Sequence, residues 1–483
     1  LALKDPIVDE RIMSEANSAK EKISRLDQLL EGFPLGRTPL VMAVLFLVSA
    51  MAIGIGGEEE EKRLEYWCFA RTHYDDYLVA KERFEAMHPG WVVDIKLVDH
   101  PSLLNRLTAA FVRGSGAPDA SEIEITGIGR FFRGEPEEIP FEDLEALGAR
   151  FGDQGWTERI VEARFAPWSY RGHVFGVPQD LHPVAFLYRQ DLFAEAGYPD
   201  LPAAVETWDD FVRVALQVNR PKELDAGHPR YAIALHIREF WEFWQMLHQK
   251  GLSVYDADRR VMVDRPEAVE VLKFYAELFH RHNVAWPMRD LPSFWAAIKR
   301  NEIMSFLAAD WFIGFLRNNV PEQAGIWRAM PMPAWERGGR RVSTFGGTTT
   351  VIPKQGKNKR MAWEFTKFLY LDREETVNRA LKTRVMPAMH ESYEDPRLLN
   401  DRFAYLGEQR LGLLFARLKD DIPRVYLHST WTEASVQIRN VIFAAINQED
   451  APENLLRQYR QHMEGIMQRY AGIEAMLYGK GEG

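Results

Sequence analysis

The stretch GHVFGVPQDLHPVAFLYRQDLFAEAG, residues 172–197, followed by Thr207-Trp-Asp-Asp-Phe211, decides the reading of this chain. Thr207 stands just before a helical pattern, with Asp210 three residues on, the spacing of a capping box. Gly197 ends the helical pattern before it, because glycine takes up the left-handed conformation of a helix terminus at no steric cost. Singly, these pieces are structural punctuation. Their meaning comes from what lies on either side.

Upstream, strands and helices alternate. Arg63 to Phe69 reads as a strand, and Tyr74 to Met87 as an amphipathic helix stopped by His88-Pro-Gly90. Trp91 to Val98 alternates in polarity as a strand, Pro101 to Arg113 is helical up to Gly114-Ser-Gly116, and Ala120 to Ile125 is a third strand. This β-α-β-α-β start predicts a largely parallel sheet with helices on both faces. Downstream, helices are expected over Trp208–Val218, Phe240–Gln249, Pro266–His280, Ser293–Arg300, Arg360–Leu369, Thr432–Ala445 and Pro452–Tyr470. A strand, Thr349–Ile352, follows a glycine pair. The fold class is α/β. Open α/β sheets bind ligands beyond the carboxyl ends of their strands, and two facing lobes place the site in the cleft between them.

The bulk numbers exclude several functions. At 483 residues the chain exceeds a single core. Its net charge is −10, and the densest basic run, Lys354 to Arg360, reads as a solvated turn before a helix, so no nucleic-acid partner is expected. The single cysteine, Cys68, sits in the first strand and permits neither an internal disulfide nor a multi-cysteine zinc site. His280 and His282 point apart on a helix, and no cofactor or metal is expected. Metalloprotease, serine-hydrolase and P-loop motifs are absent from the sequence.

Residues 38–57, TPLVMAVLFLVSAMAIGIGG, carry no charge, and twenty helical residues span about 30 Å, the thickness of a bilayer core. Arg25 and Arg37 precede the run and Glu58 to Glu61 follow it, which places residues 1–37 in the cytoplasm and the large C-terminal part outside. A single-pass anchor is the preferred reading. Ala50-Met-Ala52 also fits a signal-peptide cleavage site, and a buried helix is the third alternative.

Four elements in fixed order then carry a family resemblance: Gly176-Val-Pro178, Leu187-Tyr-Arg189, Asp191-Leu-Phe-Ala-Glu-Ala-Gly197 and Thr207-Trp-Asp-Asp-Phe211. Ala117-Pro-Asp119, Glu302 to Trp311, and Phe345-Gly-Gly-Thr348 with Ile352-Pro353 agree with it. The chain from Arg63 to Tyr470 resembles the extracellular solute-binding proteins of ATP-binding cassette importers, in their sugar-binding, maltose-binding-protein-like branch. Arg189 stands where the family has Asn, and Asp310 where it has Gly. The resemblance implies a type II periplasmic-binding-protein fold whose two α/β lobes are joined by three crossovers. Lobe one would hold residues 63–178 and 342–385, and lobe two 179–338 and 390–472. It also implies a monomer that takes a small polar ligand, a sugar, to membrane permease subunits.

Sugar binding needs planar polar groups for hydroxyls and aromatic platforms for ring faces. The positions that the resemblance places at the cleft offer both. Asp180 and His182 follow the first crossover, and Glu124 and Thr126 end the third strand. Glu239 and Trp241 open a helix on which Trp244 shares a face with Trp241, so one of that pair belongs to the core. Asp310 and Trp311 align with the family's cleft tryptophan, and Trp311 is the foremost stacking platform. Gly346 and Gly347 let backbone approach the ligand, Trp67 and Thr72 flank the end of the first strand, and Arg384 lies near the third crossover. Trp431 is read as core. Two further classes stay open on the residues alone: a tethered glycoside hydrolase using Glu124 and Asp180, and a sensory receptor.

Overall fold

The computed structural model describes residues 42, 46, 62–221 and 229–478. The expected N-terminal segment and membrane span therefore lie outside the described residues, Met42 and Phe46 apart. Among the described residues no helix is long and apolar enough to cross a membrane.

Alternation along β1 (Lys62–Cys68) buries Leu64, Tyr66 and Cys68 on one face. Helix α1 (Arg71–Met87) starts before the expected Tyr74, because the carbonyl of extended Ala70 accepts the Tyr74 amide at 3.0 Å without any side-chain cap. After β2 (Trp91–Leu97), α2 (His100–Arg113) is capped by the Asp99 carboxylate on the Ser102 amide at 3.1 Å and ends at Gly114 with φ 76°. β3 (Ala120–Glu124) and β4 (Val177–Pro178) follow. β5 (Pro183–Arg189) is buried along its whole length. Gly197 has φ 94°, and the capping box is formed: the Asp210 amide donates to Thr207 Oγ1 at 3.1 Å and the Thr207 amide to Asp210 Oδ2 at 3.2 Å. Helix α3 (Trp208–Val218) starts there.

Two sheets organise the rest. The first has the order β2-β1-β3-β7-β4, with β7 at Thr348–Val351. The second centres on β5, flanked by β8 (Ser305–Ala309) on one side and β9 (Trp327–Met330) and β10 (Ser343–Thr344) on the other.

 β6 (Ile233–His236) runs parallel to Ala285–Met288 in a separate two-stranded pair. β1 and β3 are parallel, but β7 is antiparallel to β3 and β4, and β5 is antiparallel to β8, β9 and β10. The largely parallel expectation thus holds only where it was read. Local strand-helix alternation sets the direction of sequential neighbours, whereas these partners return from far along the chain. Ser343 and Thr344 pair with Val184 and Pro183, and the chain rejoins the first sheet at Thr348.

Three connecting segments lie side by side between the sheets. The Gln179 amide donates to the Thr348 carbonyl at 2.9 Å, Phe345 to His182 at 3.2 Å, and Leu181 to Met386 at 2.8 Å. Helices α4 (Trp241–Gln249), α5 (Asp310–Asn319), α6 (Lys359–Leu371) and α7 (Arg373–Thr383) flank the sheets, and α8 (Trp431–Ile446) and α9 (Pro452–Tyr478) close the described chain. Trp168, Trp208, Trp327 and Trp363 are wholly buried, so much of the tryptophan content is core.

Candidate ligand-binding site

Beyond the carboxyl ends of β1 and β3, and against α4 and α5, lies a cavity of about 590 Å³. Phe69, Thr72, Glu124 and Thr126 line it from the first sheet's side. Trp241, Trp244, Trp311 and Phe315 line it from the helices of the second, and His182 and Phe345 to Thr348 form its floor at the connecting segments.

One wall is aromatic. Trp311 Nε1 donates to the Phe345 carbonyl at 2.9 Å, and the two rings stack at 6.1 Å and 28°. Trp241 leans on Phe345 at 5.2 Å and meets Trp311 edge-on at 6.2 Å. Trp244 is buried and stacks on Trp431 at 4.6 Å and 28°, which leaves the half-buried Trp241 and Trp311 as the rings with a face to offer. The glycine pair makes room for this. Gly346 has φ 100°, and a Cβ there would come within 3.1 Å of His182 Cδ2 and 3.2 Å of Trp311 Nε1. A Cβ on Gly347 would stand 2.6 Å from Arg164 Nη2.

The floor is charged. His182, at φ 46°, has Nδ1 2.8 Å from Asp310 Oδ1 and Nε2 3.1 Å from Asp180 Oδ2. Arg164 Nη2 donates to Asp180 Oδ1 at 3.1 Å, and the other guanidinium nitrogens reach the Asp180 carbonyl at 2.9 Å and Thr344 Oγ1 at 2.9 Å. The carboxylates also accept backbone amides: Thr348 on Asp180 at 3.0 Å, and Trp311 at 2.7 Å and Met386 at 2.5 Å on Asp310. All four charges are buried, and two of each sign balance. Burial opposes the imidazolium, but the Asp180 and Asp310 carboxylates outweigh it and hold His182 up at about 9. Asp180 is pulled below its usual range: burial works against this, and His182 and Arg164 overcome it.

Glu124 has a different setting. Its Oε2 accepts the Thr126 amide at 2.8 Å and the Thr126 hydroxyl, yet burial dominates and pushes the carboxyl up to about 7. It is therefore a group that both donates and accepts near neutral pH. Asp75, Arg317 and Lys382 also line the cavity.

Of the residues expected from the sequence, Thr72, Glu124, Thr126, His182, Trp241, Trp311, Gly346 and Gly347 come together on the cavity wall. Asp180 and Asp310 stand behind it, fully buried, and reach it through His182. Three positions stand off the cavity. Trp67 is buried in the core with Nε1 on Glu65 at 2.8 Å, because strand parity turns it to the same face as Glu65. Glu239 pairs with Arg439 at 3.0 Å. Arg384, at φ 70°, is turned onto Asp401 and the Phe403 ring. Sequence reasoning missed Phe345, Phe240, Phe69 and Phe315, and the buried Arg164. Phe345 was within reach, since it directly precedes the glycine pair; Arg164 sits in a short 3-10 helix, Glu162–Trp168, with no motif around it.

The chain is similar to an arabinooligosaccharide-binding protein of Halalkalibacterium halodurans, at 27% identity over 85% of this chain and 91% of that one. A protein of the same description from Bacillus subtilis is 23% identical, with 86% and 95% covered. Among solved structures, the sugar-binding protein MalE of Xanthomonas citri superposes with a TM-score of 0.70 at 18% identity, covering 87% of this chain and 100% of that one. That likeness establishes the α/β, periplasmic-binding-protein-like fold. The family model for bacterial extracellular solute-binding proteins matches residues 73–375, and the chain belongs to that family.

Proposed function

We propose that this chain is an extracytoplasmic receptor that encloses a carbohydrate in the cavity between two hinged lobes and delivers it to an ATP-binding cassette permease. Lobe one comprises residues 63–178 and 348–385, and lobe two 179–344 and 390–472; the connecting segments between them act as the hinge. The observation that carries this reading is the pairing of two half-buried indole faces, Trp241 and Trp311, with the polar edge of Glu124, Thr126 and His182 in one cavity. Such a surface suits rings that are apolar on their faces and hydroxylated around their rims. The names of the two relatives point the same way, to oligosaccharides of arabinose. Residues 38–57 serve in this reading as a membrane anchor that keeps the receptor near its permease.

The bound sugar leaves unaltered. A glycoside hydrolase needs two carboxyl groups facing each other across the scissile bond. Asp180, the partner that Glu124 would require, has its oxygens occupied by Arg164, His182 and the Thr348 amide. The test is calorimetry of the full chain and its Trp311→Ala variant against arabinotriose and maltotriose. The variant is expected to bind about tenfold more weakly. Equal affinities would remove the stacking role, and release of shorter sugars would remove the receptor reading.

A further inference from the structure

Away from the connecting segments, the two halves meet again along a seam that starts at the cavity. On one side it runs from Thr126 in the cavity wall, through Gly129, to Phe132 and Tyr170. On the other it runs from Trp244 in the wall, through Trp431 and His428, to Tyr255 and the turn that carries Arg259. The backbones touch at Gly129: a Cβ there would lie 2.5 Å from the His428 carbonyl oxygen. Gly129 has φ −53°, so its backbone would accept alanine, and only the contact across the seam forbids it.

Arg259 reaches across the seam. It sits at φ 65° in a turn closed by its own amide on the Asp256 carbonyl at 2.9 Å, within a strand-like pair joining Tyr255 to Val261. Its guanidinium lies 5.3 Å from the centre of the Phe132 ring and 5.5 Å from that of Tyr170, two rings that stack on each other at 5.4 Å and 13°. It also donates to the Ser169 carbonyl. Among the described residues it forms no ion pair, so its attachments are these contacts with the opposite half. Arg133 over the Tyr470 ring at 5.1 Å and Arg424 on Glu162 cross the same divide.

We propose that Arg259 is a clamp: seated on Phe132 and Tyr170, it holds the two halves together and sets ligand affinity without touching the ligand. This deepens the receptor reading and rests on its two hinged halves. A rotation that opens the cavity about the connecting segments at its floor must part the seam at its side. The clamp's contribution therefore belongs to the closed state alone, and weakening it lowers affinity in proportion to the closed population lost.

Two variants of the full chain test this, Arg259→Ala, which removes the clamp, and Gly129→Ala, which wedges the seam. Spin labels on Val112→Cys and Leu216→Cys, both exposed positions, one on each half, report the separation by pulsed electron paramagnetic resonance; native Cys68 is buried. In the absence of sugar, both variants should lengthen the label-to-label distance. Affinity for arabinotriose and for maltotriose should fall about fivefold, with the preference between the two sugars unchanged. Distances equal to the parent's in both variants overturn the clamp, as does an altered distance with unaltered affinity. A parent chain that binds neither sugar removes the carbohydrate reading, and the distances alone then decide the clamp.

Discussion

Asp310→Asn is the most informative change at the floor of the cavity. The carboxylate accepts the Trp311 amide on Oδ1 at 2.7 Å and the Met386 amide on Oδ2 at 2.5 Å, so the single oxygen of the variant's amide keeps one of these and loses the other, and the negative charge 2.8 Å from His182 Nδ1 is gone. In the folded chain His182 holds its proton up to about 9, against 6.5 ordinarily, because the carboxylates overcome the cost of burial. Between those values the folded state carries the proton and the unfolded state has lost it. Stability therefore falls as pH rises through this window and is fully present below 6.5. At about 1.4 kcal/mol per pH unit, the gap is worth about 3 kcal/mol. Urea unfolding at pH 6.5 and pH 9 should show that loss in the parent chain, while Asp310→Asn should be less stable at the lower pH and lose less between the two, Asp180 still facing the ring. A parent chain equally stable at both values, or a variant that keeps the parent's slope, would refute the claim that Asp310 holds His182 charged.

Glu124→Gln should do two opposite things at once. Above pH 7 the folded carboxylate is charged where burial disfavours it, so the variant should be more stable to urea by about 1 kcal/mol, a figure discounted because the side chain is only half-buried. The same change should weaken sugar binding in calorimetry; stability gained with affinity kept would mean that Glu124 does not face the ligand. Gly347→Ala sets a Cβ 2.6 Å from Arg164 Nη2 and should lower stability by about 1–3 kcal/mol, read as a fall in melting temperature. An unchanged melting temperature would show that the floor is looser than its distances indicate.

What could be read from the sequence was local. The capping box at Thr207 and Asp210 needs only three residues of spacing, and the helix it starts has the expected ends. Trp241 and Trp244 share a helix face, and burial separates them as that spacing allows, one toward the cavity and one onto Trp431. The misses share a physical cause. Whether a residue at the end of an element faces the cleft depends on strand parity for Trp67 and on a left-handed backbone at a helix C-terminus for Arg384, and neither shows in composition. The charge cluster was half visible. Asp180, His182 and Asp310 could be named, but Arg164, which balances them, joins from the 3-10 helix Glu162–Trp168 only through the fold. Antiparallel returns such as β10 on β5 depend on contacts between residues some 160 positions apart, beyond any local pattern.

On the hinge proposed above, the placement of the two sets of charged contacts lets one molecule be firm and mobile together. Arg164, Asp180, His182 and Asp310 bind backbone groups of all three connecting segments, at Thr348, Asp180 itself and Met386. Atoms on a rotation axis scarcely move when the bodies on either side turn. A buried network there can stay intact through opening and closing, which it must, since breaking one pair would strand a charge at a cost of about 3–5 kcal/mol. Arg259, Arg133 and Arg424 lie off that axis, and the contacts described for them include aromatic rings, a carbonyl and an exposed ion pair. Each such contact is worth about 1 kcal/mol and its groups return to water when it parts. Expensive charges sit where nothing has to separate, and inexpensive ones sit where separation is the function, so the affinity of this receptor should be adjustable at the seam with little cost to its fold.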